Sequence, residues 1–235
     1  MNTVDIRLAD TRSRTHTDWL DSRHSFSFGA HHDPANTHHG LLIVSNDDRV
    51  RAGTGFGTHA HQDMEIVTWV LSGRLEHTDS EGNHGELYPG LAQRMSAGAG
   101  IRHSEINPSP NEDVHFVQMW VPPHVEGIRP SYEQRDVNVE LENGGLHAVA
   151  SGEGHDGAII LNQRQAVLWV GRLHPGEVVS VPPGPHAHVF VAAGSADLES
   201  AGSLDAGDAA RLVDAGAPTL TAGDTGAEIL IWVTA

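Results

Sequence analysis

Two short stretches carry side chains whose types and spacing suit metal chemistry. The first is Gly53-Thr-Gly-Phe-Gly-Thr-His59-Ala-His61, followed closely by Glu65. The second is Gly98-Ala-Gly-Ile-Arg-His103-Ser-Glu105-Ile-Asn107. In a β-strand, residues i and i+2 point to the same face. His59 and His61 therefore form one fork, and His103 with Glu105 forms another that can converge on the same point from a neighbouring strand. Three imidazoles and a carboxylate suit one divalent first-row transition metal, and these ligand types do not choose among Fe, Mn, Ni, Cu, Co and Zn; iron is taken as the first expectation without being selected by them. Which glutamate completes the set is open on spacing alone. Glu65 falls four residues after His61, so a continued period of two puts it on the same face, whereas Glu105 makes the tighter fork with His103. The carboxylate that does not bind metal then accepts a hydrogen bond beside the site or acts as a base.

With 18 histidines in the chain, a single His-x-His pair arises easily by chance, so the weight rests on two pairs, each behind a glycine-rich turn. The adjacent pairs His31-His32 and His38-His39 point opposite ways in an extended chain, and exposed loop positions are expected for them. His186-Ala-His188 echoes the first fork, but no second His-x-Glu follows it, so a structural role is expected there.

The elements that must position these residues read as strands. Segments such as Gly40-Leu-Leu-Ile-Val-Ser, Glu65-Ile-Val-Thr-Trp-Val-Leu-Ser, His115-Phe-Val-Gln-Met-Trp-Val, Ala166-Val-Leu-Trp-Val and Glu228-Ile-Leu-Ile-Trp-Val are separated by Gly, Pro, Asn and Asp. That pattern predicts an all-β sandwich or barrel with little helix. Arg23-His-Ser-Phe-Ser-Phe28 alternates and predicts a strand with Phe26 and Phe28 on one face. Pro122-Pro123 and the polar stretch to Gly145 read as an extended connection between two halves.

The chain has 235 residues, enough for one large or two small domains. It contains no lysine and no cysteine, and its formal charge is −17. Schiff-base chemistry, disulfides and thiolate ligands are thereby excluded. An acidic surface repels phosphate backbones, so no direct nucleic-acid binding is expected. There is no apolar run long enough for a membrane span and no apolar signal core after Met1, which gives a cytoplasmic expectation.

Gly53-x5-His59-x-His61-x3-Glu65-x7-Gly73 is similar to the first cupin motif, and Gly100-x2-His103-x3-Asn107 looks like the end of the second. More narrowly, His59-Ala-His-Gln-Asp-Met-Glu-Ile-Val-Thr, Met95-Ser-Ala-Gly-Ala-Gly-Ile-Arg-His103-Ser-Glu105 and His24-Ser-Phe-Ser-Phe28 resemble the pirin family, and within it the bacterial pirin-like quercetinases. The resemblance runs over nearly the whole chain, stronger before residue 150. It implies a bicupin of two face-to-face jelly-roll β-barrels, with an N-terminal domain over 1–132 that carries metal and a metal-free C-terminal domain over 133–235. It also implies His59, His61, His103 and Glu105 as ligands, with Glu65 beside them. The implied activity is 2,3-dioxygenation of flavonols such as quercetin, with Glu105 or Glu65 as base. The partners are then a phenolic substrate and dioxygen. Phe26, Phe56, Trp69 and Met119 are candidates for the apolar wall or for ordinary core. Alternatives are a metal-bound regulator that binds a transcription factor or metabolic enzyme in a redox-dependent way, and a cupin enzyme acting on another small molecule. A monomer is expected from the strong charge.

Overall fold

The computed structural model describes residues 3–199 and 201–235. Their strands group into three antiparallel-dominated sheets. In the first half, a sheet ordered Gly55–His61, Ile101–Ile106, Leu75–Asp79, His84–Leu87 faces a larger one. That larger sheet runs Ser131–Asp136, Leu91–Ser96, Glu65–Ser72, Val114–Val121, Val44–Val50, Leu20–His24, Ser13–His16. The second half is built on one sheet whose centre is the long pair His186–Leu198 and Thr219–Thr234. Regular helix among the described residues is confined to the 3-10 turn Ala9–Thr11 and the single turn Asn138–Leu141. No helix is long and apolar enough to cross a membrane.

The strand Glu65–Ser72 shows why the interior reads as continuous apolar runs. Its first six residues are all buried, because both of its faces are covered. Val70 packs inside the first domain with Leu20, Val50, Leu75 and Phe116. Val67 and Trp69 point the other way, into a cluster shared with Leu168, Phe190, Leu230 and Trp232 of the second half. Two tryptophans pin this seam reciprocally. Trp69 Nε1 donates to Glu228 Oε1 at 2.6 Å, and Trp232 Nε1 donates to Met119 Sδ at 3.0 Å.

The division at 132/133 falls inside a strand. Ser131–Asp136 pairs along its whole length with Leu91–Ser96, so the first domain's sheet continues to Asp136. At the other end, Thr3–Arg7 pairs with Ala209–Val213 and so belongs to the second sheet. The N-terminal strand thus straps the two halves together.

The expected strand through Phe28 stops early. Leu20–His24 is the ladder, and the chain then turns at Gly29, whose φ is +56°. Phe26 consequently enters the seam between the domains, while Phe28 lines a cavity in the first. Of the paired histidines, His32 and His38 are exposed as expected, but His31 and His39 are half-buried. His39 Nε2–H donates to Leu212 O at 3.0 Å, tying the loop to the second half.

Candidate metal centre

The two forks meet across neighbouring strands. Gly55–His61 pairs antiparallel with Ile101–Ile106, with His103 opposite His59 and Ile101 opposite His61. A register shift between His103 and Glu105 then brings Glu105 opposite Phe56. Gly55 belongs to this irregularity, because any Cβ there would run into the Glu105 and Ile106 backbone. The ring centroids of His59, His61 and His103 stand 4.4–5.0 Å apart, and one nitrogen from each lies within 4.8 Å of the others. His103 and Glu105 form a second such set with His77.

The hydrogen bonds leave the right nitrogens free. His59 Nδ1–H donates to Gly57 O at 2.9 Å, so its Nε2 carries the lone pair. His61 Nε2 and His103 Nε2 are buried and have no hydrogen-bond partner among the described residues. Two such orphans beside a third free imidazole nitrogen form a cluster that could hold a cation; His186 Nδ1 and His188 Nε2 are also without partners but have no third ligand grouped with them among the described residues. Burial pushes His61 down to about 4, helped by the charge of His59. His103 is pushed down to about 2, first by burial and then by His59, His61 and His77. Both are therefore neutral at neutral pH, the form in which an imidazole can bind a metal.

Behind His103 lies a chain that spacing arguments missed. His77 Nε2 stands 3.2 Å from Asp79 Oδ2, and His77 Nδ1 stands 3.4 Å from His103 Nδ1. A carboxylate only accepts, so His77 Nε2–H donates to Asp79 and His77 Nδ1 accepts a hydrogen bond from His103 Nδ1–H. This fixes the His103 tautomer with Nε2 free. Asp79 is itself held by Asn83 Nδ2 and by the Glu81 and Asn83 amides. The signal was present as a further i, i+2 pair, His77-Thr-Asp79, on an alternating strand.

Glu105 is buried, and its Oε1 and Oε2 both accept from Gln118 Nε2 at 3.0 and 2.8 Å. Burial raises its pKa, and Gln118 pulls it back. Gln118 is oriented in turn by Trp120 Nε1–H, which donates to its Oε1 at 3.0 Å. Glu65 is not brought to this cluster. The chain turns at Asp63, with φ +47°, and enters the other sheet, so the period of two is broken between His61 and Glu65. Glu65 is fully buried, and its Oε2 accepts from Asn162 N of the second half at 3.0 Å.

A cavity of about 390 Å³ opens onto the site. His59, His61, Glu105 and Gln118 line it on one side, and Trp19, Leu20, Phe28, Phe56 and Trp120 supply an apolar wall. Of the aromatic and sulfur candidates from the sequence, Phe56 lines the cavity, whereas Phe26, Trp69 and Met119 belong to the seam. A second carboxyl also faces the cavity. Asp48 is buried, its Oδ1 has no partner among the described residues, and burial pushes it up to about 7.

This fold, with imidazoles converging at one end of one β domain, defines a two-domain cupin protein with a site suited to a divalent metal. Comparison with known proteins narrows the class. The Pirin family pattern matches residues 7–121, and that of the quercetinase C-terminal cupin domain matches 148–232. A Mycobacterium tuberculosis protein provisionally named a quercetin 2,3-dioxygenase is 56% identical over 98% of this chain and 94% of its own. The Escherichia coli K12 protein named quercetin 2,3-dioxygenase is 46% identical over 67% of each chain. The structure of the bacterial pirin YhhW from E. coli in complex with nickel(II) superposes with a TM-score of 0.90 at 36% identity, over 99% of both chains. The chain belongs to the pirin family.

Proposed function

We propose that this chain is a metal-dependent dioxygenase that cleaves flavonols such as quercetin. The observation that carries the reading is the juxtaposition of free imidazole nitrogens and an aromatic-walled cavity. His59, His61, His103 and Glu105 would hold one divalent transition metal, iron first, with nickel the natural comparator given the E. coli relative. Bound there, the metal would supply a Lewis-acidic, redox-capable centre for dioxygen chemistry on a deprotonated phenol.

The protein's own groups do the remaining work. Trp19, Phe28, Phe56 and Trp120 present edges and faces to a planar polycyclic substrate and keep water from its rings. Phe28 and Trp120 already meet edge to face, with centroids 5.8 Å apart. Gln118 fixes both oxygens of Glu105, which keeps that carboxylate aimed beside His103. Asp48 is the proton acceptor for the substrate hydroxyl. It faces the cavity with one oxygen free, and a carboxyl held near neutrality exchanges protons at neutral pH with little penalty either way. Glu65 has no part in proton transfer in this scheme, because its carboxylate is occupied by Asn162. It instead holds the domains in register.

The test is oxygen uptake with quercetin by protein reconstituted with Fe²⁺ or Ni²⁺, alongside carbon monoxide release. One molecule of each gas exchanged per flavonol cleaved supports the reading. A fully loaded protein that consumes no oxygen with any of a panel of flavonols sinks it, and would leave a metal-bound regulator or a different small-molecule reaction.

A further inference from the structure

We propose that a second cavity, between the N-terminal strap and the loop after Phe26, binds a small molecule through a carboxylate or phosphate group. The cavity measures about 300 Å³ and is lined by Arg7, Arg12, Ser25, His31, His32 and Asn36, among others. That volume lies at the lower end of the range of about 300–1,000 Å³ for ligand pockets. Asp33 is the one acidic residue of its lining, in a chain that carries 31 acidic residues against 14 basic ones.

The donors around it are left over. Arg12 is 9% exposed, and one nitrogen, Nη2, is bound to Asp47 at 2.9 Å. Its Nε and Nη1 are buried and have no partner among the described residues, and neither has the Ser25 hydroxyl. Behind the cavity wall, Arg211 lies over the Phe26 ring at 4.5 Å and spends Nη2 on Ser25 O at 2.6 Å. Its Nε is also without a partner. Four unpartnered donor atoms of buried side chains stand in this neighbourhood against one unpartnered acceptor, Asn36 Oδ1, a clear departure from normal satisfaction with donors in excess.

The charges point the same way. Arg211 is pushed down to about 10, first by burial and then by the charge of Arg7. His188, buried next to these groups, is driven well below its usual value by burial and then by Arg211, with Arg12 contributing. Each guanidinium has one acceptor, but Arg12 and Arg211 keep further nitrogens unpartnered, and the planar fork of Arg matches carboxylate and phosphate. Asp5 neutralises part of Arg7 at the surface, at 2.7 Å, but Asp5 does not line the cavity. The cavity is separate from the metal pocket, although His24 contributes to the walls of both.

Isothermal titration of the full-length, metal-loaded protein with inorganic phosphate and with succinate, at matched ionic strength in sodium chloride, tests this. Saturable binding of one equivalent is expected. Tighter phosphate binding would identify a phosphate ester as the ligand class, and tighter succinate binding a carboxylate. Arg12→Gln is expected to weaken binding at least about tenfold, the loss expected for charge-assisted hydrogen bonds. Because that change also removes the Asp47 contact, Ser25→Ala provides a milder variant, expected to weaken binding a few-fold. Wild-type protein stripped of metal is expected to bind with the same affinity as the loaded protein. No saturable binding of either anion, or unchanged affinity in both folded Arg12→Gln and Ser25→Ala, overturns the proposal. Loss of binding in the metal-free wild type overturns it too, since the anion would then sit at the metal.

Discussion

The chain contains the tripeptide His-Ala-His twice, and the two copies end in opposite environments. His59-Ala60-His61 closes an edge strand that has one hydrogen-bonded neighbour, and that neighbour supplies His103 and Glu105. His186-Ala187-His188 opens a central strand enclosed by Ala209–Val213 on one side and Thr219–Thr234 on the other. His188 faces Arg211 and Trp232 across those ladders and packs against Phe26, with ring centroids 5.7 Å apart. One copy has acceptor nitrogens beside a carboxylate and an open cavity. The other has a buried imidazole beside guanidinium groups, where a cation would be repelled. The motif alone therefore does not make a metal site; the neighbouring strands do.

The largest expected break in this comparison comes from the first copy's partner. His103→Ala is expected to remove at least about two orders of magnitude of metal affinity, read by competition against a chelator, because a tridentate imidazole set falls to two. His103 is as buried as His188, so metal-free His103→Ala should lose stability too, and its metal affinity is read on protein shown to be folded. His188→Ala should leave metal stoichiometry unchanged while lowering unfolding free energy by about 2–4 kcal/mol in chemical denaturation, as for other buried large-to-small changes. Retained stability in that variant would mean that the second copy packs less tightly than its burial suggests.

A smaller effect sharpens the contrast within the first domain. His77→Phe keeps a ring in the core but takes away the acceptor that holds the His103 tautomer. Metal affinity is expected to fall by about 10–100-fold, the usual loss when the partner of a ligand is removed. An unchanged affinity would show that His103 orients without help.

The smallest effect is a pH dependence. Asp48 is raised from 3.8 to about 7 in the folded protein, so the native state holds a proton that the unfolded chain has released. Its contribution to stability is full below pH 4 and declines as pH rises through 4 to 7. Asp48→Asn should abolish that decline, so the difference in unfolding free energy between variant and wild type should grow across this window and level off above it. A difference that stays flat with pH would mean that Asp48 is ionised in the native protein.

Much of this was legible in the sequence because strands declare themselves by alternation and by breakers. The forks at His59-x-His61 and His103-x-Glu105 were readable for that reason, and the all-β, two-domain cupin architecture followed from the strand pattern together with motif resemblance. What escaped lies in contacts between segments distant in the chain. Glu65 keeps the arithmetic spacing of the fork but changes sheet at Asp63, and no local pattern announces a positive φ at an aspartate. Trp69 and Met119 look like candidates for a pocket wall, yet both face the seam, because their strands are covered on two sides. The strap Thr3–Arg7 pairs with a strand about two hundred residues later, a partnership that composition cannot reveal.

The most direct test is metal content after reconstitution of three folded proteins with the same divalent ion, removal of loose metal by gel filtration, and elemental analysis. About one ion per chain is predicted for wild type and for His188→Ala, and close to none for His103→Ala. Full occupancy in His103→Ala, or its loss in a folded His188→Ala, would contradict the assignment of the centre to the first His-Ala-His and its answering strand.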